Sequence, residues 1–409
     1  MSSIRSGRRL VVGLMAATLL VAACGDDDDA ATTDTTTATT AGQAAPSEGE
    51  GGGEAEEFSI AYVGPLTGDA ANLGVFIRNG AKVAVEQFNE ANPDLQITME
   101  EFDTQGDPAQ APTVLDKYIN DEKILGIVGP AFSGETRAVL PTLEENGLVM
   151  VSASATNAEL PDVVPEGRVF HRVLPDDAAQ AAGIAKYLTT TVQPANIAII
   201  HDNTEYGKGL AVDQLVPQLG DIPIVTTEVI DPEGQDYSAA VNNVKAANPE
   251  FIFYGGYYEQ AGRLKKQLAD AGVMATFMSG DGALDVGFVE AAGYAAEGAV
   301  LSCPCYFASE AAPGEIGEFA TAYNELIGSV PGTYSTEAFD AANILMNGIK
   351  EGNTDREALL EYVEGLTMVD TAISKEVTFA ENGNIEAQGI FLFEVKGGEI
   401  VLLTATDDL

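Results

Sequence analysis

At 409 residues, with 63 acidic against 20 basic side chains and a formal charge of −43, this chain is a strong polyanion. Such a surface repels nucleic acid and anionic lipid headgroups and argues against both as partners. Two histidines, no tryptophan and three cysteines leave little for histidine-based proton or metal chemistry, and exclude a disulfide-dense scaffold.

Residues 1–23 have the make-up of a secretory signal. Arg5, Arg8 and Arg9 supply a positive start, and residues 10–20 an apolar run. That run is too short for a membrane-spanning helix of about 20 residues. The segment Val21-Ala22-Ala23 then leads into Cys24, which reads as a lipoprotein box: cleavage before Cys24 leaves its thiol to take a diacylglycerol. The chain is therefore expected outside the cytoplasm, lipid-anchored through Cys24 to the cell membrane. Residues 24–57 carry an acidic run, a Thr/Ala run and a Gly/Glu stretch, with no large apolar side chain before Phe58. Such a composition predicts a disordered tether.

From residue 58 the signals alternate between strand and helix, over a length that suits two domains better than one core. Residues 58–63 read as a buried strand, followed by the loop Gly64-Pro65-Leu66-Thr67-Gly68 and a helix with Ile77, Ala81, Ala84, Val85 and Phe88 on one face. Leu95, Ile97 and Met99 alternate as a second strand, and Asp107-Pro108 resembles a helix start that Pro112 delays. Residues 124–128 form a third strand, 136–145 a helix and 148–151 a fourth strand. A second series begins near Pro175, with helices over 177–190, 206–219, 237–247 and 258–271. Its strands span 196–200, 222–229, 251–254, 274–278 and 299–302. Helices over 316–327 and 334–350 follow, then short strands turned at Asn382-Gly383 and Lys396-Gly397-Gly398. This winding predicts an α/β fold of two Rossmann-like lobes with parallel-type sheets.

Enzyme motifs are missing: there is no phosphate loop ending in Lys-Ser/Thr, no complete dinucleotide fingerprint, no His-Glu-x-x-His and no nucleophile elbow. No cofactor and no metal site is expected. His201 ends an apolar strand, where a structural or cleft-lining role outweighs a catalytic one. Acidic pairs such as Asp176-Asp177 carry no signal in so acidic a chain. Cys303-Pro304-Cys305 leaves two readings open, a tight disulfide and a pair of thiols.

The informative positions are strand ends, because ligands of open α/β sheets sit beyond the carboxyl ends of strands, near helix N-termini. Ser133 opens a helix after the third strand, and residues 152–156 follow the fourth. Asp281, among glycines, follows a strand of the second series. Two groups that suit a carboxylate facing one that suits an ammonium describe a zwitterion pocket; the same residues also build ordinary turns.

The chain from residue 58 to about 403 resembles the leucine/isoleucine/valine-binding protein family, the substrate-binding proteins of ABC importers with the type I periplasmic-binding-protein fold. The resemblance rests on Val63-Gly64-Pro65-Leu66-Thr67-Gly68, on SASATNAEL over 152–160 and on IAIIHDNTEYGKGL over 197–210. It rests also on Phe253-Tyr254-Gly255-Gly256-Tyr257, FMSGDG over 277–282 and Ala296-Glu297-Gly298.

The resemblance implies that Ser133 and Thr156, with the backbone of Ser154, hold a ligand carboxylate. Asp281 would grip the α-ammonium with Tyr257 beside it. Tyr206 would close the cleft, and Leu73 and Phe132 would line the side-chain region. Asp281 is shorter than the glutamate of well-known branched-chain binders, and Leu73 replaces an aromatic residue. The family pattern implies a hinge of three crossings, with residues 58–175 and 305–375 in one lobe and 176–304 and 376–409 in the other. It implies a monomeric receptor, not an enzyme, that captures an amino acid by hinge closure and delivers it to an ABC transporter permease. A binding protein for amides, urea or another small polar solute, and a ligand-sensing ectodomain, are the competing readings.

Overall fold

The computed structural model describes residues 55–409, apart from 306, 367, 370–371, 375–376 and 386–388. The signal, Cys24 and nearly all of the tether lie outside the described residues. The tether ends earlier than the sequence suggests, because Glu56 and Glu57 already pair with Leu95 and Gln96.

Five parallel strands make the first sheet: β1 (Glu56–Gly64), β2 (Leu95–Asp103), β3 (Ile124–Val128), β4 (Val149–Ser152) and β5 (Phe170–Arg172), in the order β2-β1-β3-β4-β5. Parallel neighbours need long crossovers. Here α1 (Ala71–Ala91), α2 (Ala111–Tyr118) and α3 (Ser133–Glu145) supply the first three. The face of α1 read from the sequence is the buried one, with Ile77, Ala81, Ala84, Val85 and Phe88 all in the core. Burying each of its large apolar side chains contributes roughly 1.5–3 kcal/mol.

After β5 the chain enters α4 (Asp177–Tyr187) and builds a second sheet. Its parallel part is β6 (Ile197–His201), β7 (Ile224–Val229), β8 (Phe251–Gly255), β9 (Thr276–Ser279) and β10 (Val300–Cys303). Between them lie α5 (Glu205–Lys208), extended by π-helical turns over Gly209–Leu215, then α6 (Ser238–Ala247), α7 (Tyr258–Asp270) and α8 (Val286–Ala292). The chain then leaves for α9 (Glu315–Ile327), α10 (Ser335–Lys350) and α11 (Arg356–Glu364). Of these, α10 packs on α1 and beside β3 and β4 of the first sheet, and α11 beside β3 and β4. It returns with β11 (Phe391–Lys396) and β12 (Glu399–Ala405), giving the order β12-β11-β10-β9-β8-β6-β7.

The sheets are less alike than expected, five strands against seven. The difference is the terminal hairpin, which runs antiparallel to β10 and within itself. Its turn passes through Gly397 and Gly398, both at positive φ, and so short a turn joins only antiparallel neighbours.

The α1–α10 contact is backbone against backbone. A Cβ on Gly80 of α1 would lie 2.0 Å from the carbonyl oxygen of Ser335 at the start of α10.

Candidate functional site

The two sheets meet along the carboxyl ends of β3, β4, β6, β8 and β9. On the first-sheet side, β3 runs through Gly129-Pro130-Ala131-Phe132 into α3. Ser133 is its first residue, buried, and its Oγ accepts the Asn157 N–H at 3.1 Å. A helix start leaves first-turn N–H groups without intrahelical acceptors, a natural seat for an anion. Glu135 braces this turn: its carboxylate accepts the Phe132 N–H at 2.9 Å and the Thr104 hydroxyl. Complete burial outweighs those bonds and pushes the Glu135 carboxyl up to about 7.

The loop after β4 is tied down in the same way. Ser152 Oγ donates to the Pro130 carbonyl at 2.9 Å, and Ser154 Oγ donates to the Ala131 carbonyl at 2.5 Å. The Ser154 hydroxyl is thus spent on the fold, which leaves its backbone as the part that can meet a ligand. Arg172, wholly buried, donates through Nη1 to the carbonyls of Ala155 and Asn157 at 2.9 and 2.8 Å, fixing the loop from behind. Desolvation draws its guanidinium down to about 10. The Thr156 hydroxyl is buried without a hydrogen bond of normal geometry among the described residues.

Asp281 projects from the other side, just beyond β9, 3 % exposed. Its Oδ1 accepts the Tyr206 hydroxyl at 2.9 Å and its Oδ2 the Tyr334 hydroxyl at 2.6 Å. The Gly282 N–H donates to the same Tyr206 oxygen at 2.9 Å, so that hydroxyl is held at both ends. Burial raises the Asp281 carboxyl above its ordinary value, while the tyrosine hydroxyls oppose the shift. Thr204 caps the short helix that carries Tyr206. Tyr257, at the start of α7, lies with its ring centroid 4.7 Å from Phe132 and 5.2 Å from Tyr206, so an aromatic contact joins the two sides.

Seven of the eight residues singled out as ligand contacts therefore line this meeting: Phe132, Ser133, Ser154 and Thr156 on one side, Tyr206, Tyr257 and Asp281 on the other. Leu73 is buried in the first turn of α1, next to Asn72, whose Nδ2 donates to Asp285 Oδ1 at 3.0 Å. Cys303 and Cys305 are joined as a disulfide, with Cα atoms 5.1 Å apart, both buried where β10 ends.

Two residues of the site escaped the sequence reading. Asp177 begins α4, is fully buried, and neither carboxylate oxygen closes a hydrogen bond of normal geometry among the described residues. Its N–H donates to the Thr156 carbonyl at 2.8 Å. Burial, then the charge of Asp281, drive its carboxyl well above the ordinary range, while the nearby Thr156 hydroxyl opposes the shift. Tyr334 reaches Asp281 from the loop ahead of α10. Neither of the two histidines joins the group. His201 Nδ1 accepts the Asn203 N–H at 3.1 Å, and burial pulls His171 down to about 4. Among the described residues, no group of three or more metal-ligating side chains occurs.

This arrangement gathers helix-start N–H groups, two buried carboxylates and three aromatic rings where the sheets meet. It can hold a small solute that is anionic at one end and cationic at the other.

A family profile described as "Periplasmic binding protein" matches residues 57–399. The chain is 30% identical over 351 residues to a Leu/Ile/Val-binding protein from Rhizobium johnstonii, covering 84% of this chain and 93% of that one. Its fold is similar to the crystal structure of a leucine binding protein, LivK, from Thermotoga maritima: TM-score 0.77, 24% identity, 86% of this chain and 100% of that one. It is equally similar to a branched-chain amino acid transporter substrate binding protein, LivJ, from Streptococcus pneumoniae in complex with isoleucine. There the TM-score is 0.77 and the identity 21%, over 86% of this chain and 99% of that one.

Proposed function

Because the chain belongs to the periplasmic binding protein family, we propose that it captures an amino acid, branched-chain or related, and delivers it to an ABC importer. The family is made of binding proteins and implies a place outside the cytoplasm. Among the described residues no helix is long and apolar enough to cross a membrane. The lipoprotein box supports Cys24 as the anchor, with residues 24–57 as tether; family membership supports binding without chemistry, by a monomer.

One observation carries the reading: the buried Asp281 carboxylate is held by the Tyr206 and Tyr334 hydroxyls, and Phe132, just ahead of the buried Ser133, meets Tyr257 from the other side. The ligand carboxylate would lie on the start of α3, on Ser133, on Thr156 and on the Ser154 backbone. The ammonium would lie between Asp281 and Asp177 and donate to their carboxylate oxygens. Phe132, Leu73 and Tyr257 would bound the side chain. The lobes would be residues 58–175 with 305–375 and 176–304 with 376–409, closing on the ligand by hinge motion.

Calorimetry on the full chain, unfolded and refolded to remove carried-over ligand, tests this against leucine, isoleucine, valine, other amino acids, amides and urea. One amino-acid class should bind tightly. Asp281→Ala, which strands a buried ammonium, should weaken that binding by about 3–5 kcal/mol. Binding confined to uncharged amides would remove the ammonium role of Asp281, and unchanged affinity in the variant would remove the pocket assignment.

A further inference from the structure

Tyr334 stands apart from the other groups around Asp281. Its neighbours in sequence belong to the first-sheet side: Ser335 Oγ donates to the Phe76 carbonyl at 3.2 Å and accepts the Gly332 N–H at 3.1 Å. The close approach of Gly80 to Ser335 fixes that anchor to α1. The backbone of Tyr334 is left-handed, φ 68°, a conformation that an aromatic residue adopts only under tertiary constraint. What that conformation achieves is visible in the contacts. The Tyr334 hydroxyl crosses to Asp281 Oδ2 at 2.6 Å, and the neighbouring Thr333 hydroxyl crosses to the Leu284 carbonyl. Both acceptors lie just past β9, in the second sheet's connections. The ring is buried, 2 % exposed.

We propose that Tyr334 is an interlobe latch built onto the ligand site, completing the Asp281 grip only when the two lobes are together. Tyr206 and Asp281 share the second-sheet side, so their bond survives any rigid-body opening between the sheets. Tyr334 is anchored to α1 and α10, so its bond to Asp281 breaks on opening. A carboxylate that keeps only Tyr206 and the nearby Gln180 amide, both on its own side, in the open form gains the Tyr334 hydroxyl in the closed form. The closed form alone thus holds both Asp281 oxygens in place for an ammonium. Tyr334 is then a positioning residue, acting on the ligand through Asp281, and its contribution falls on the escape rate of the bound ligand more than on its entry.

This inference rests on the amino-acid reading, and the test separates the two. L-leucine and L-isoleucine are titrated into the full parent chain, Tyr334→Phe, Asp281→Asn and the double variant, with stopped-flow dissociation rates and melting curves with and without ligand. Tyr334→Phe removes only the hydroxyl. Loss of a hydrogen bond to a charged group should raise Kd roughly 10- to 100-fold, mostly through faster dissociation. The ligand-free melting point should stay near that of the parent while the ligand-induced rise shrinks, a pattern that a merely structural tyrosine would not give. In the Asp281→Asn background the same change should have much less effect. Parent-like dissociation in Tyr334→Phe, with Asp281→Asn impaired, overturns the latch and leaves the pocket standing. Parent-like binding in Asp281→Asn overturns the reading and the latch together; where neither leucine nor isoleucine binds the parent, the amino acid found in the calorimetric panel takes their place, and a panel in which no amino acid binds overturns both.

Discussion

Buried carboxylates are the residues on which this chain's behaviour turns, and Asp202 shows the balance most cleanly. It follows β6; its Oδ1 accepts the Thr204 N–H at 3.0 Å and the Thr204 hydroxyl at 2.7 Å, while Oδ2 has no hydrogen-bond partner among the described residues. Desolvation wins over those bonds and lifts the carboxyl to about 6. A folded-state value above the unfolded one means that the native state holds its proton longer. Stability is therefore unaffected by this group below pH about 4, falls between about 4 and 6, and stays lowered above. Asp202→Asn keeps an acceptor at Oδ1 and removes the charge. At pH 8 it should be more stable than the parent by roughly 2–3 kcal/mol, an advantage that vanishes near pH 4 in denaturant melts. A pH-independent difference would mean that Asp202 does not carry this titration. Residue-level legibility divides along similar lines. Ser133, Thr156 and Asp281 stand out locally as small polar residues and a lone acid at strand ends, but ordinary turns use the same residues, and only the family resemblance gives them roles in a ligand site. Asp177 could not be read, since its meaning lies in complete burial beside Asp281, which composition conceals. Tyr334 could not either, because its partner lies 53 residues away on another sheet.

Elements were legible where burial was long and one-sided. Strands β3, β6 and β8 are wholly buried and β1 is buried from Ser59 onward, as both-face coverage of a parallel sheet requires, and their apolar runs announced them. β5 has three residues, His171 and Arg172 among them, so neither length nor hydropathy marked it. α8 was lost among glycines and alanines. α11 carried signals that went unread, with Asp355 as N-cap and Leu359, Leu360 and Val363 buried on one face. Helix-to-helix contact was not legible at all, and Gly80 shows why. Its role depends on a carbonyl some 250 positions later, at Ser335, which a Cβ would approach to 2.0 Å. Backbone cannot yield as a flexible side chain can, so α1 and α10 must separate in Gly80→Ala. Overpacking of this kind costs about 1–3 kcal/mol or more. The melting point should fall, and because α10 begins at the Tyr334 loop, leucine affinity should fall with it. A variant that melts lower yet binds as the parent would detach the α1–α10 contact from the site.

For the whole molecule the dominant fact is charge, 63 acidic groups against 20 basic. Both lobes inherit it, so bringing them together over a neutral zwitterion concentrates like charge, and self-repulsion opposes the closed form. Contacts that favour closure at the surface are few and weak. Arg137 Nε lies 2.6 Å from Glu205 Oε1 across the cleft, but both side chains are about a third exposed, where such pairs contribute about 0–1 kcal/mol. The charges that would grip the ligand in the proposed site are buried and thus screened little by salt, whereas repulsion between surfaces acts through solvent. Raising sodium chloride from 10 to 300 mM shortens the Debye length from about 30 Å to under 10 Å, which removes most of the repulsion and little of the grip. The amino acid identified by the calorimetric panel should therefore bind more tightly at 300 mM than at 10 mM, and small-angle scattering should find compaction at lower ligand concentration. Most ion-pair recognition responds the other way. Weaker binding at high salt would place the ligand's charges in solvent contact and remove the buried grip on which the reading depends.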